Sequence, residues 1–239
     1  MSQPLPSLEI AKKAAARRAL NFVRDGMTVG LGTGSTAKYF VQLLATKIIE
    51  EKIQIKAVPT SKKTLSLAKE LGVPLSNLNS EFGLDLVVDG ADEADSQFNL
   101  IKGGGGALLQ EKIVASASRK MIVISDYSKK VDLLGKFPLP LEIVKFGADF
   151  TRCQLRNMLS ELGYRDCALS WRMNGEVKFN TDEDHYLLDA YLERIVDPKK
   201  LQQELISCPG LVETGLFINL AKVIIWGNED GSTEIVEAV

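Results

Sequence analysis

Apolar side chains recur at helical spacing from Leu8 to Val23, at Leu8, Ala11, Ala15, Ala19 and Phe22, while Lys12, Lys13, Arg17 and Arg18 take other positions. That pattern predicts an amphipathic helix ending near Asp25-Gly26. Met27 to Leu31 is a short β-type run, followed by Gly32-Thr33-Gly34-Ser35-Thr36 and a second helical pattern through Ala37, Phe40, Val41, Leu44 and Ile48. Ile53 to Val58 predicts a second strand, and Ser61 to Leu71 a helix closed by Gly72. Leu84 to Asp89 reads as a buried strand, Ala107 to Ser118 as a helix and Lys120 to Ser125 as another strand. This alternation predicts an α/β fold, a doubly wound and mostly parallel Rossmann-like sheet with helices on both faces.

The rhythm changes after Gly135-Lys-Phe-Pro-Leu-Pro140. A strand near Leu141 to Val144, a helix near Ala148 to Leu162 and two strands with a turn at Asn174-Gly175 come first. A helix from about Pro198 to Ile206 and a strand near Leu211 to Leu216 complete the order βαββαβ, which predicts a second, smaller ferredoxin-like α+β domain. The last apolar run, Val223 to Trp226, is expected to rejoin the first sheet. Residues 1–134 with 217–239 are therefore assigned to the Rossmann-like domain and 135–216 to the small one.

Composition narrows the function. With 239 residues, 45% hydrophobic and 25% charged, the chain is long enough and apolar enough to build a core without disulfides or structural metals. A formal net charge of -2 gives no footprint for nucleic acid or an anionic membrane, so neither is expected as a partner. No apolar run approaches the roughly 20 residues that cross a bilayer, and the start MSQPLPSLEIAKK has no signal pattern, so a soluble cytoplasmic protein is expected. Cys153, Cys167 and Cys208 are scattered and read as packing residues, and the single histidine, His185, sits in a predicted turn without partners for a zinc site. No metal is expected.

Three segments at the ends of predicted strands carry chemistry. Gly32-Thr33-Gly34-Ser35-Thr36-Ala37 places free N–H groups, a helix dipole and three hydroxyls where a phosphate-sized anion can bind. It also matches the dinucleotide pattern G-x-G-x-x-A. The second strand, however, runs into Val58-Pro59-Thr60-Ser61-Lys62 without the ribose-binding carboxylate, leaving Lys62 or Lys63 to hold a phosphorylated nucleotide. A ligand-free glycine turn capped by Ser35 or Thr36 is the plainer alternative.

Asp89-Gly90-Ala91-Asp92-Glu93 follows a buried strand, where the ligand crevice of a parallel sheet lies, and its two carboxylates three residues apart can reach one set of sugar hydroxyls. A solvated acidic turn is the alternative, while a calcium loop lacks the required ligand order. Lys102-Gly103-Gly104-Gly105-Gly106-Ala107 opens the helix carrying Glu111. Four glycines in a row cost backbone entropy, and their exposed N–H groups beside Lys102 can form a nest for an oxygen gaining negative charge. Glu111 borders the apolar sector near Val114 and Ala115, where burial would raise its pKa toward that of a useful base. A flexible linker with a surface glutamate is the other reading. Lys129, past the next strand, can enter the same crevice or remain a solvated charge. Together these groups suit abstraction of a proton beside a carbonyl, with no cofactor required.

The four motifs Gly32-Thr-Gly-Ser-Thr-Ala37, Asp89-Gly-Ala-Asp-Glu93, Lys102-Gly-Gly-Gly-Gly-Ala107 with Glu111-Lys112, and Gly135-Lys-Phe-Pro-Leu-Pro140 resemble those of the type A ribose-5-phosphate isomerase family, and the likeness extends to Pro209-Gly210 and Gly215-Leu-Phe217. The resemblance implies cofactor-free interconversion of D-ribose 5-phosphate and D-ribulose 5-phosphate, a step of the non-oxidative pentose phosphate pathway, by a homo-oligomer, commonly a dimer. It implies that Glu111 is the general base that takes the proton from C2 and returns it at C1 through an enediol. Asp89 and Lys102 match residues that open the sugar ring and hold its oxygens, and Asp92 matches a hydroxyl ligand. The substrate site would extend over Gly90, Ala91, Gly103, Gly104 and Gly105. Thr33, Gly34, Ser35, Thr36 and Lys129 match the phosphate site, with Lys12 a further contributor. Asn180 to Tyr186 departs from the family's Thr-Asp-Asn-Gly-Asn pattern. Two rivals stand beside this reading, an NADP-dependent oxidoreductase and a non-catalytic sugar-phosphate sensor.

Overall fold

The alternation of strands and helices is realised in the computed structural model, which describes residues 7–81 and 83–238. In chain order, α1 (Ser7–Ala19), β1 (Thr28–Leu31), α2 (Ser35–Glu51), β2 (Lys56–Pro59), α3 (Lys62–Glu70) and β3 (Leu86–Asp89) lead to two very short strands, β4 (Glu93–Ala94) and β5 (Leu100–Ile101). After them come α4 (Leu108–Ser116) and β6 (Met121–Asp126). The chain continues through β7 (Leu139–Ile143), α5 (Ala148–Glu161), β8 (Ala168–Trp171), β9 (Met173–Asn174), β10 (Val177–Lys178) and β11 (Tyr186–Tyr191). It ends with α6 (Pro198–Leu205), β12 (Leu211–Thr214), β13 (Leu216–Phe217), β14 (Ala221–Gly227) and β15 (Thr233–Glu237).

These elements form two compact units. The first comprises the chain up to Ala91, Gln110–Lys129 and the segment from Asn219 onward. Its sheet has the order β15-β14-β6-β3-β1-β2, parallel except for the outer strand β15. The chain leaves β1 on one side to form β2 and returns on the other to form β3. The carboxyl ends of β1 and β3 therefore flank a topological switch point, where open parallel sheets bind ligands. Buried Ala15, Ala19, Phe40, Leu44, Val88 and Ile122 belong to one core. A Cβ at Gly30 would stand 2.7 Å from Val114 Cγ1, so glycine in β1 lets α4 lie close against the sheet.

The second unit comprises Asp92–Leu109 and Lys130–Ile218. Its main sheet has the order β12-β7-β11-β8, every pair antiparallel, the ferredoxin-like arrangement expected of βαββαβ. Leu139, Leu141 and Ile143 enter a core with Leu155, Leu159, Leu201 and Leu205 of the two helices. Strand alternation turns Pro140 and Glu142 to the opposite face.

Several expectations are corrected. The strand expected at Leu211 to Leu216 is two strands: the chain changes sheets at Gly215, where a Cβ would lie 2.4 Å from Lys102 O and only glycine permits so close an approach, and β13 pairs with β5. The turn at Asn174-Gly175 closes only the ribbon β9–β10, while the partner of β8 is β11, which begins at Tyr186. The β2 strand starts at Lys56 rather than Ile53, because Gln54 is drawn into the preceding turn by Asp25 Oδ1 (2.6 Å). Residues 92–109, 130–134 and 217–218 pack with the second unit, whereas the sequence assigns them to the first. The run Val223 to Trp226 does rejoin the first sheet, parallel to β6.

Candidate active site

In the first unit, three neighbouring strands end together. Past β1, Gly32 packs against Asp89, and Asp89 Oδ1 accepts hydrogen bonds from the N–H of Thr33 (3.0 Å) and of Gly90 (2.7 Å). The carboxylate is buried. Helix α2 begins at Ser35 behind Gly34, whose φ of 119° favours glycine, and no side chain caps it. Capping by Ser35 or Thr36 is thus corrected: the N-cap is Gly34, which has no side chain to offer the first N–H groups of α2, and that suits an anion.

Not all three loop hydroxyls face outward. Thr33 Oγ1 lies 2.8 Å from both Thr60 Oγ1 and Ser61 Oγ and 3.1 Å from Thr64 Oγ1. Thr60 and Thr64 donate in turn to Leu31 O and Gly32 O, each at 3.0 Å. This hydroxyl cluster fixes the back of the loop. Ser35 is exposed, and a cleft beside it is lined by Lys38, Lys63 and Ser66. Lys38 and the Thr60–Thr64 cluster were missed by motif reading, although Thr60-Ser61 ending a parallel strand was a usable signal.

Glu111 stands in the first turn of α4, one turn before Val114 and on the same side of the helix, and is 3% exposed. A crossover helix runs antiparallel to its strands, so its first turn lies at their carboxyl edge. Burial of the glutamate at that edge removes the linker-and-surface alternative. At the end of β6, Asp126 Oδ1 accepts from the N–H of Ser128 (3.1 Å) and from its hydroxyl, closing a short turn that ends in half-buried Lys129. Lys12 on α1 donates to Glu9 Oε1 (2.7 Å), and Tyr39 of α2 donates to Glu9 Oε2 (2.7 Å). Those two bonds hold the Glu9 carboxyl below its ordinary pKa.

In the second unit, Asp92 Oδ2 accepts from the N–H of Gly104 at 2.7 Å. Lys102 is 2% exposed, with Nζ 5.3 Å from the centre of the Phe217 ring. The glycines of the loop have particular reasons. Gly103 and Gly106 have φ of 102° and 82°, a Cβ at Gly104 would meet Asp92 Oδ1 at 2.6 Å, and one at Gly106 would meet the Phe179 ring at 2.6 Å. Such tight packing leaves no room for a flexible linker. Glu93, the last residue of its motif, is buried and accepts from the N–H groups of Gly135 (2.7 Å) and Phe137 (2.6 Å), tying two sequence motifs together structurally.

Among the described residues no cluster of three or more His, Cys, Asp or Glu side chains is placed to hold a metal, and no helix is long and apolar enough to cross a membrane.

The profile of the ribose 5-phosphate isomerase A (phosphoriboisomerase A) family matches residues 56–231. The chain is also 49% identical over 228 residues to the ribose-5-phosphate isomerase A of Cereibacter sphaeroides (strain ATCC 17025), covering 95% of this chain and 91% of that one. It belongs to the ribose 5-phosphate isomerase A family. The isomerase A of Jannaschia sp. (strain CCS1) is 47% identical over 98% of this chain and 90% of its own. Among solved structures, the ribose 5-phosphate isomerase of Plasmodium falciparum aligns with a TM-score of 0.91 at 34% identity, covering 96% of this chain and 99% of that one. A D-ribose-5-phosphate isomerase in complex with phospho-erythronic acid aligns with a TM-score of 0.88 at 36% identity, covering 98% of this chain and 100% of that one. Membership in this isomerase family displaces the oxidoreductase and sensor alternatives.

Proposed function

We propose that this chain interconverts D-ribose 5-phosphate and D-ribulose 5-phosphate by general-base proton transfer through an enediol(ate), with Glu111 as the base. The observation that carries the residue assignment is a buried carboxylate in the first turn of a crossover helix, at the sheet edge where parallel α/β folds bind ligands.

In the open-chain aldose, Glu111 takes the proton from C2. The C–H electron pair becomes the C1–C2 double bond, and the carbonyl pair moves onto O1. The same carboxyl then returns the proton to C1, and the C2 hydroxyl proton passes to O1, leaving a ketone at C2 and a hydroxyl at C1. Proton transfer of this kind contributes typically ~10²–10⁴-fold. The Gly103 and Gly105 N–H groups and the Lys102 ammonium stabilise the oxygen that gains charge, while the Gly104 N–H holds Asp92. Asp89 and Lys102 assist ring opening, and Asp92 holds hydroxyls with the Gly90-Ala91 backbone. The phosphate is held by the uncapped N–H groups of Gly34 to Thr36 and by Lys129, with Thr33 fixing the loop from behind. Lys12, paired with Glu9, contributes at most a longer-range charge.

The same reading makes the parallel-sheet unit and the ferredoxin-like unit its two domains. It extends to a step of the pentose phosphate pathway in the cytoplasm, carried out by a homodimer without metal or nucleotide. The test is a coupled assay for ribulose 5-phosphate formation after chelator treatment and without nucleotide. Turnover under those conditions supports the proposal. Turnover that appears only when metal or nicotinamide is added overturns it.

A further inference from the structure

The glycine loop of the second unit is held from behind by a side chain that no motif predicts. Arg172, just past β8, donates through Nη1 to Gly103 O (2.7 Å) and Gly104 O (3.2 Å). Its Nε donates to Asp189 Oδ2 at 3.0 Å, and its Nη2 donates to Asp189 Oδ1. Both side chains are largely buried, 17% and 13% exposed. The forked ion pair leaves one nitrogen to bridge two consecutive carbonyls.

Those carbonyls belong to the peptide planes that carry the N–H groups of Gly104 and Gly105. The peptides are trans, so each N–H points away from the carbonyl that the arginine holds. One of them donates to Asp92 Oδ2 at 2.7 Å, so the plane is fixed from both sides. Gly103 O also accepts from the N–H of Gly106 at 3.0 Å, which closes the turn. A run of glycines has many competing backbone states. A buried cation on two of its carbonyls selects one of them and polarises both amides, that of Gly104 toward the Asp92 carboxylate and that of Gly105 toward a negative charge on its far side.

We propose that Arg172, oriented by Asp189, is a positioning residue for isomerisation: with the Gly104 N–H taken by Asp92, it fixes the loop so as to set the orientation and strength of the Gly105 N–H donor that receives the enediolate oxygen. This rests on the reading of the glycine loop as the oxyanion site. Arg172 touches backbone rather than substrate, so it acts on the transition state through the loop. Lysine cannot replace it, since an ammonium lacks the planar fork that serves a carboxylate and two carbonyls at once.

The test compares wild type, Arg172→Ala and Arg172→Lys in steady-state kinetics and in binding of two probes. One probe is a phosphorylated aldonohydroxamate, a planar mimic of the enediolate, and the other is ribitol 5-phosphate, which carries no developing charge. Arg172→Ala is expected to lower kcat by ~10²-fold, the scale of losing an oxyanion donor, with KM changed by less than about threefold. Hydroxamate affinity should fall in parallel with kcat while ribitol 5-phosphate affinity holds, and added guanidinium should restore part of kcat. Arg172→Lys should show the same split with a smaller loss, and it decides the matter if the alanine variant does not fold.

A folded lysine variant with kcat and hydroxamate affinity within about twofold of wild type overturns the proposal, as does equal loss of both probes. If wild type fails to isomerise ribose 5-phosphate at all, the functional reading falls instead. An active wild type with an indifferent Arg172 sinks only this inference.

Discussion

A Cβ on Gly32 would lie 2.1 Å from Oδ1 and 2.3 Å from Cγ of Asp89, so the carboxylate of the third strand rests directly on the glycine that follows the first. The Thr33 and Gly90 N–H groups then fix that carboxylate. Gly32→Ala must displace Asp89 or open the loop, and either breaks the anion cradle together with the carboxylate. We expect kcat/KM for ribose 5-phosphate to fall by at least ~10²-fold and stability by ~1–3 kcal/mol, as for overpacking in a tight interior. Steady-state assay and denaturant unfolding check both. A variant with wild-type kcat/KM would show that this contact is dispensable.

Much of the fold was legible because its signals are local. Strand, glycine loop and helix follow one another at β1 and α2, and in the second unit the first strand and both helices were visible in hydrophobic spacing, whereas β11 was not. What escaped depends on neighbours distant in sequence. Nothing around Gly215 shows that Lys102 O approaches it closely where the chain changes sheet, and nothing in Ser-Trp-Arg-Met marks Arg172 as a partner of the glycine loop. The site motifs were legible as residues, but not all of their orientations were: Thr33 looked like an anion ligand, while its hydroxyl turns back into Thr60, Ser61 and Thr64. Glu93, within an acidic motif, serves the backbone of a segment more than forty positions later.

Glu111→Gln separates chemistry from binding. The amide keeps the size of the side chain but cannot accept the C2 proton. We expect kcat to fall by ~10²–10⁴-fold, with affinity for ribitol 5-phosphate unchanged within error. Proton exchange between C2 and solvent should vanish together with turnover. Residual exchange at the wild-type rate would assign the base to another group.

Glu93 offers the opposite case, a motif carboxylate whose loss acts on stability first. Its two oxygens take the N–H groups of Gly135 and Phe137 in a buried setting. Glu93→Ala leaves both donors without an acceptor, and hydrogen bonds to a charged group contribute ~1.5–3 kcal/mol each. A loss of ~2–5 kcal/mol in unfolding free energy is expected, against a smaller loss for Glu93→Gln, which keeps one acceptor. Urea midpoints of the two variants check the order. An alanine variant as stable as wild type would mean that water replaces the carboxylate.

Glu142 makes the stability of the second unit depend on pH in an unusual direction. It lies in β7 at 1% exposure, and its Oε1 takes the Thr181 hydroxyl (2.9 Å) and faces His185 Nδ1 (3.1 Å). Among the described residues no hydrogen-bond partner reaches Oε2. Burial pushes this carboxyl above the ordinary glutamate range, and the Glu183 charge adds to the push, while Thr181 and His185 pull the other way. A raised value means that the folded state holds the proton more tightly than the unfolded chain. The contribution is full below the unfolded value of about 4.3 and is lost as pH rises through the folded one. Glu142→Gln removes that loss, so its melting temperature relative to wild type should climb from pH 4 toward neutrality and then level off. Thermal unfolding of both proteins across that range measures the difference. A gap that shrinks as pH rises would show that the Thr181 and His185 contacts, rather than burial, govern this group.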